Sequence, residues 1–214
     1  MSDVYVNPLT IEVSPNDYQN LGSLSEDMVY RLPGCADLMI RKTLQNVFRE
    51  FCLTTWALRG TSEHAIVADQ ASYNIVIPSS TYIHRIVSVY KGTSLLVENV
   101  DYTALTGTPA KVVLKSVPTS ADSAVVLKVE TVCVPTRGSE DVPTWFSEMY
   151  GDALISGALY KLFAMDGKPW ADTSQAKLEG IAWQNAINEA SSKSISGSQV
   201  SGKELNAINY GGMI

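Results

Sequence analysis

Histidine and cysteine are scarce in this 214-residue chain, and their scarcity removes whole classes of chemistry. The two histidines, His64 and His84, stand at no metal-ligand spacing from each other, from a cysteine or from a paired carboxylate. The sequence therefore predicts no zinc or haem centre, and neither a metal nor a cofactor is expected. Three cysteines, Cys35, Cys52 and Cys133, form no Cys-x-x-Cys pair and are odd in number, so they are expected as buried small hydrophobes in a reducing compartment. No Gly-x-Ser-x-Gly elbow accompanies either imidazole. Gly107-Thr108-Pro109 and Gly211-Gly212 read as turns, since neither follows a strand and opens a helix as a phosphate cradle requires. No catalytic residue is assigned, and the chain is expected not to be an enzyme.

Positive charge is also short. Sixteen Lys and Arg face 22 Asp and Glu, a net charge of −6, and the basic residues are dispersed. Counterion release needs clustered cations, so nucleic acid is not expected as a bulk partner. A run of 18 apolar residues is missing, as is a charged lead followed by an apolar core at the N-terminus, so no membrane partner is expected and the protein is read as kept in a cytoplasm. The carboxylates Glu140, Asp141, Glu148 and Asp152 gather where a helix begins, and the helix dipole accounts for them there. Glu148 and Asp152, four apart, have the spacing of a catalytic pair, yet nothing in the sequence recruits a substrate beside them.

What is present is a hydrophobic fraction of 45%, ample for a folded core. From Asp37 to Leu58, Ile40, Leu44, Val47, Phe48, Phe51, Thr55 and Leu58 form one helical stripe, with Gly60 as its stop. Between Thr61 and Pro135 the period becomes strand-like. Runs over 65–68, 73–77, 83–90, 94–97, 111–114 and 124–134 are separated by Pro- and Gly-bearing turns, which predicts about six short strands in an antiparallel sandwich- or barrel-like module. A helix start follows at Asp141-Val142-Pro143-Thr144, with Asp141 or Thr144 as the expected cap. Phe146, Met149, Tyr150, Ala153, Leu154, Gly157, Ala158, Leu162 and Phe163 make its predicted buried face. Asp166-Gly167-Lys168-Pro169-Trp170 is the turn, with Gly167 at positive φ. A second helix restarts near Asp172 or Thr173 and carries Leu178, Ile181, Ala182, Trp183, Ala186, Ile187 and Ala190, antiparallel to the first.

The fold class is thus α+β. A three-helix body (34–60 and 140–193) carries an inserted β-module (61–139), preceded by an N-terminal segment (1–33) and followed by an extended C-terminal arm (194–214). The N-terminal segment has turn signals at Asn7-Pro8 and Ser14-Pro15-Asn16-Asp17 around Leu9, Ile11 and Val13. Its sequence fits an arm lying on a neighbour and a packed segment equally. The arm begins as a Ser/Gly connector and ends in an apolar tip, Leu205, Ala207, Ile208, Tyr210, Met213 and Ile214. All four tryptophans, Trp56, Trp145, Trp170 and Trp183, fall on helices or their junctions and read as core or interface anchors.

The run Val142-Pro143-Thr144-Trp145-Phe146, Met149 to Leu154, Gly157-Ala158-Leu159, Leu162 and Met165 to Trp170 resembles the C-terminal helical hairpin of head-to-tail adaptor (connector) proteins of tailed bacteriophages, of the podovirus type. The similarity extends to the helix Asp37–Leu58, the hairpin Ile83-x-x-Ile86-x-x-Val89-Tyr90-Lys91-Gly92, the pair Asp101-Tyr102 before Gly107-Thr108-Pro109, and the strand Val125–Pro135. The resemblance implies a structural virion protein in the neck. It would form a homo-oligomeric ring, usually of twelve copies, beneath the portal protein and provide the platform on which the tail or nozzle protein docks. Genomic DNA would pass through the channel without specific binding, which an acidic wall suits. It gives the C-terminal arm a role as portal contact through Leu205, Ile208, Tyr210, Met213 and Ile214, and makes Trp145, Tyr150, Trp170 and Trp183 candidates for the subunit interface. A carbohydrate- or receptor-binding tail module using the β-insertion is the competing expectation, and clustered exposed aromatics on one sheet face would favour it.

Overall fold

A computed structural model describes residues 18–77, 80–107, 109–123 and 125–197. The fold is α+β, with four helices and antiparallel sheets among these residues. Helix α1 (Ser23–Val29) and helix α2 (Asp37–Thr55) follow a short strand β1 (Tyr18–Asn20). Strands β2 (Arg59–Ala65), β3 (Ser72–Asn74), β4 (Thr81–Lys91), β5 (Ser94–Leu95), β6 (Tyr102–Leu105), β7 (Lys111–Leu114) and β8 (Val126–Pro135) come next. Strand β9 (Asp141–Pro143) leads directly into α3 (Thr144–Phe163), and α4 (Thr173–Gly197) ends the described chain.

The strands form three sheets: β1-β9, β2-β8-β4-β5 and β3-β7-β6. None closes into a barrel, which corrects half of the sandwich-or-barrel expectation. The larger two instead share one hydrophobic cluster, to which Ile83, Ile86, Val89, Leu127 and Val129 contribute from one sheet and Tyr73, Tyr102, Val112 and Leu114 from the other. Strand β4 buries Ile83, Ile86 and Val89, a three-residue step that a regular strand of period two does not allow. Register shifts at Ile83/Arg85 and at Ile86/Ser88 supply the reason, because each bulge inserts one residue and returns the next isoleucine or valine to the same face.

A second cluster joins the helices: Ile40, Leu44, Val47, Phe48 and Phe51 of α2, Phe146, Leu154, Ala158 and Leu162 of α3, and Trp183, Ile187 and Ala190 of α4. Leu21, Met28 and Leu32 add the α1 region, so the helical layer holds one helix more than the expected three. Strand β8 belongs to both clusters, giving Leu127 and Val129 to the sheets and Cys133 and Val134 to the helices. Arg49 of α2 reinforces that joint by donating to the Pro135 carbonyl (3.0 Å) and to the Tyr82 hydroxyl (3.1 Å) while its guanidinium lies over the Tyr82 ring.

Several local expectations change. Helix α2 stops at Thr55 rather than Leu58, because Trp56 itself adopts the left-handed conformation (φ 55°) with its amide on the Cys52 carbonyl. Gly60 lies inside β2. Helix α3 begins after Pro143 without a side-chain cap from Asp141 or Thr144. Gly167 does take a positive φ (72°), and Asp172 caps α4 by accepting from the Ser174 and Gln175 amides at 2.8 and 3.0 Å. The first residues of the expected arm, 194–197, are helical and extend α4. Residues 18–33 are packed: Tyr18 to Asn20 pair with Pro143 to Asp141, and the Leu21 amide donates to the Glu140 carbonyl at 2.7 Å.

Candidate functional site

The surfaces able to meet a partner are those where large apolar side chains stay uncovered by their own chain. On α4 the buried face is Ala176, Trp183, Ile187 and Ala190. Leu178 and Ile181, expected in that face, are each 61% exposed. The helix has turned them onto its flank, since Trp183 is drawn onto Gly157 of α3, where there is no side chain to hold it off. At the end of α1, Val29 is exposed and Tyr30 is 92% exposed, and Leu38 stands out from the first turn of α2. Arg31 ties this corner to α4 by an ion pair with Glu179, and its guanidinium lies 5.9 Å from the centre of the Phe163 ring. On α3, Trp145 (45%) and Met149 (59%) share an exposed face one turn apart, although Met149 was expected to be buried. These residues were hidden from pattern reading because helical spacing marks an apolar stripe without marking which edge of it the neighbouring helix covers.

The four interface candidates divide accordingly. Trp145 is the exposed one. Tyr150 packs its ring against Phe51 and Phe146, with centroids 5.0 and 4.9 Å away, and burial pushes its hydroxyl pKa up. Trp183 lies inside the helical core and meets Phe51 at 5.5 Å. Trp170 is nearly buried, and its indole N–H has no acceptor among the described residues. It lines an open groove with Arg31, Pro33, Phe163, Pro169 and Asp172. The five portal-contact candidates, Leu205, Ile208, Tyr210, Met213 and Ile214, lie outside the described residues.

The end of α4 is fixed in place. Arg59, at the start of β2, donates to the Ser194 carbonyl at 2.6 Å, satisfying one of the acceptors that a helix C-terminus leaves free. This contact sets the last turn of α4 beside the start of β2.

The strand region carries its own exposed apolar positions at Leu95, Val97, Val100 and Leu105. The loop between β5 and β6 is held by the Asp101 carboxylate, which accepts from the Val97 amide (2.8 Å), and by Asn99 in the left-handed conformation (φ 65°) with its amide on the Tyr102 carbonyl. These exposed side chains are aliphatic.

Polar chemistry is local. His64 Nε2 lies 2.8 Å from the Ser62 hydroxyl, a pairing that strand alternation creates by putting i and i+2 on one face, and burial lowers the imidazole pKa. Ser62 is itself buried and accepts the Val76 amide at 3.1 Å. Its hydroxyl is thus a structural acceptor holding the residues after β3 against β2. His84 is exposed on β4, while Glu148 and Asp152 lie on the exposed side of α3. Cys52 and Cys133 are buried with raised thiol pKa values, whereas Cys35 is only partly covered. Among the described residues no cluster of His, Cys, Asp and Glu is arranged to hold a metal ion, and no helix is long and apolar enough to cross a membrane. Compared with known proteins, the chain matches no family model and no curated sequence.

Proposed function

We propose that the protein is a head-to-tail adaptor of a tailed bacteriophage, a structural virion subunit that assembles with its own copies into a ring, with twelve the expected number, between the portal and the tail or nozzle. The observation that carries the reading is the pair of uncovered apolar flanks on the helical layer: Leu178 and Ile181 on α4, and Val29, Tyr30 and Leu38 at the α1–α2 corner. A ring needs two different patches on each subunit, so that one copy's flank meets the other patch of the next and the rotation closes. Leu178 and Ile181, one turn apart on the same flank, are exposed side by side, which is the arrangement that a contact surface uses. In this reading residues 34–60 and 140–193 are the ring body, 61–139 the projecting module, 1–33 the lead-in and 194–214 the arm that contacts the portal.

The anchoring of the α4 end by Arg59 supports an arm held at a defined point. The apolar loop at Leu95, Val97 and Val100 provides a protein-docking tip for the tail partner. Because its exposed side chains are aliphatic, the module favours a protein surface over the stacked sugar that a carbohydrate-binding tail module would take. An acidic chain is also suited to lining a channel through which DNA slides.

Negative-stain microscopy of the purified protein, alone and with its portal, tests the proposal. Closed rings on the portal are expected. Leu178→Asp together with Ile181→Asp is expected to give folded monomers. Particles that stay monomeric with the portal present would end the adaptor reading.

A further inference from the structure

The N-terminal 17 residues reach the described fold at Tyr18. Tyr18 pairs with Pro143, Gln19 with Val142 and Asn20 with Asp141, and the Gln19 amide side chain donates to the Ser147 hydroxyl in the first turns of α3. The entering chain is thus delivered onto the N-terminal end of α3. Two residues past Pro143 stands Trp145, and one turn beyond it Met149, two large apolar side chains exposed in the first half of α3. Trp145 touches its own chain edge-on at Phe146, with ring centroids 5.4 Å apart, and Phe146 is fully buried. The exposed pair is therefore the outer continuation of the aromatic core.

Immediately upstream of Tyr18 the sequence holds a matching surface. Leu9, Ile11 and Val13 alternate with Thr10 and Glu12, and alternate positions share one side of an extended chain. Between that stripe and Tyr18 lie Ser14-Pro15-Asn16-Asp17, residues of the kind that reverse a chain in a tight turn. The geometry fits the tether. Val13 is five Cα steps from Tyr18, about 17 Å when extended. The Cα atoms of paired antiparallel residues are about 5 Å apart, so Trp145, two residues beyond Pro143, lies within about 12 Å of Tyr18. A linker this short holds the stripe at an effective concentration in the millimolar range over the patch.

We propose that Leu9, Ile11 and Val13 of the chain's own N-terminal segment cover Trp145 and Met149, closing the outer side of α3. The occupant is the same chain rather than a neighbouring copy, because the tether ends at the patch. The two alternatives left open by the sequence of residues 1–33, an arm on a neighbour and a packed segment, are thereby resolved in favour of packing.

Hydroxyl-radical footprinting read by mass spectrometry tests this on the full-length protein. Labelling of Met149 and Trp145 is compared among the native chain, a chain lacking residues 1–13, Ile11→Asp and Thr10→Asp. The truncation and Ile11→Asp are expected to label both residues several-fold faster than the native chain. Thr10→Asp, which adds the same charge to the opposite side of the alternation, is expected to match the native rate. Met28, fully buried in the helical core, gauges integrity and must stay slow in each variant used. Equal labelling in the native and truncated chains would overturn the proposal, as would protection that disappears on dilution, which would assign the stripe to a second copy.

Discussion

At the scale of single residues, Gly157 and Trp183 set the closest approach in the helical layer. A Cβ at position 157 would lie 2.6 Å from the Trp183 ring, a distance at which the indole must move. Gly157→Ala is therefore expected to cost about 1–3 kcal/mol, the range of an overpacked core, even though alanine is the better helix former. Denaturant unfolding measures it, and a neutral result would mean that α4 slides freely on α3. Trp170 makes the opposite case. Its indole N–H is buried without an acceptor among the described residues, so Trp170→Phe removes an unsatisfied donor while keeping aromatic bulk, and it is expected to leave stability unchanged or raise it by up to about 1 kcal/mol. His64 contributes a pH dependence of known sign. Burial lowers its folded pKa below the ordinary imidazole value of about 6.5, so the unfolded chain takes up the proton first. Stability is then full above that value and falls as the pH drops through it toward the folded pKa. Thermal unfolding of His64→Gln is expected to lose this component of the acid slope.

At the scale of elements, β8 is the part on which the architecture turns. Its first half faces the sheet cluster and its second half enters the helical cluster, and Tyr82 of β4 and Ile77 also touch the helical side of the joint. Arg49 clamps the helical side of this strand through Pro135 and Tyr82. Arg49→Met keeps most of the aliphatic stem but removes both hydrogen bonds and leaves a half-buried carbonyl to water. It is expected to lower stability by about 1–3 kcal/mol and to speed amide exchange in β4 near Tyr82 more than at the β5 end. Uniform acceleration along β4 would show that the clamp does not act locally.

At the scale of the whole molecule, the apolar surface left over after folding points outward in several directions: the α4 flank, the α1–α2 corner, the start of α3 and the β5–β6 loop. In the adaptor reading these have separate occupants, namely the neighbouring copies for the first two, the entering N-terminal segment for the third and the tail for the last. Removing residues 201–214 is expected to leave ring formation intact and abolish portal attachment, measured by co-sedimentation with portal rings. Undiminished attachment would take the portal-contact role away from Leu205, Ile208, Tyr210, Met213 and Ile214.

Residue order alone settled the kinds of element and most of their places: a helix from Asp37, a strand-rich middle, and a hairpin of helices hinged at Gly167. Local periodicity and turn chemistry are properties of neighbouring residues, and both can be read without knowing what packs where. Three matters required the tertiary structure. Trp56 ends α2 in a conformation normally given to glycine, which its side chain does not announce. The step Ile83, Ile86, Val89 looks helical and belongs to a strand, because two bulges realign it. The exposure of Met149, Leu178 and Ile181 depends on the rotation of each helix against its neighbour, a rotation set by the small contact at Gly157 and the bulk of Trp183. An apolar stripe records how much surface a helix has to bury; only the packed neighbours decide which part of it stays uncovered for a partner.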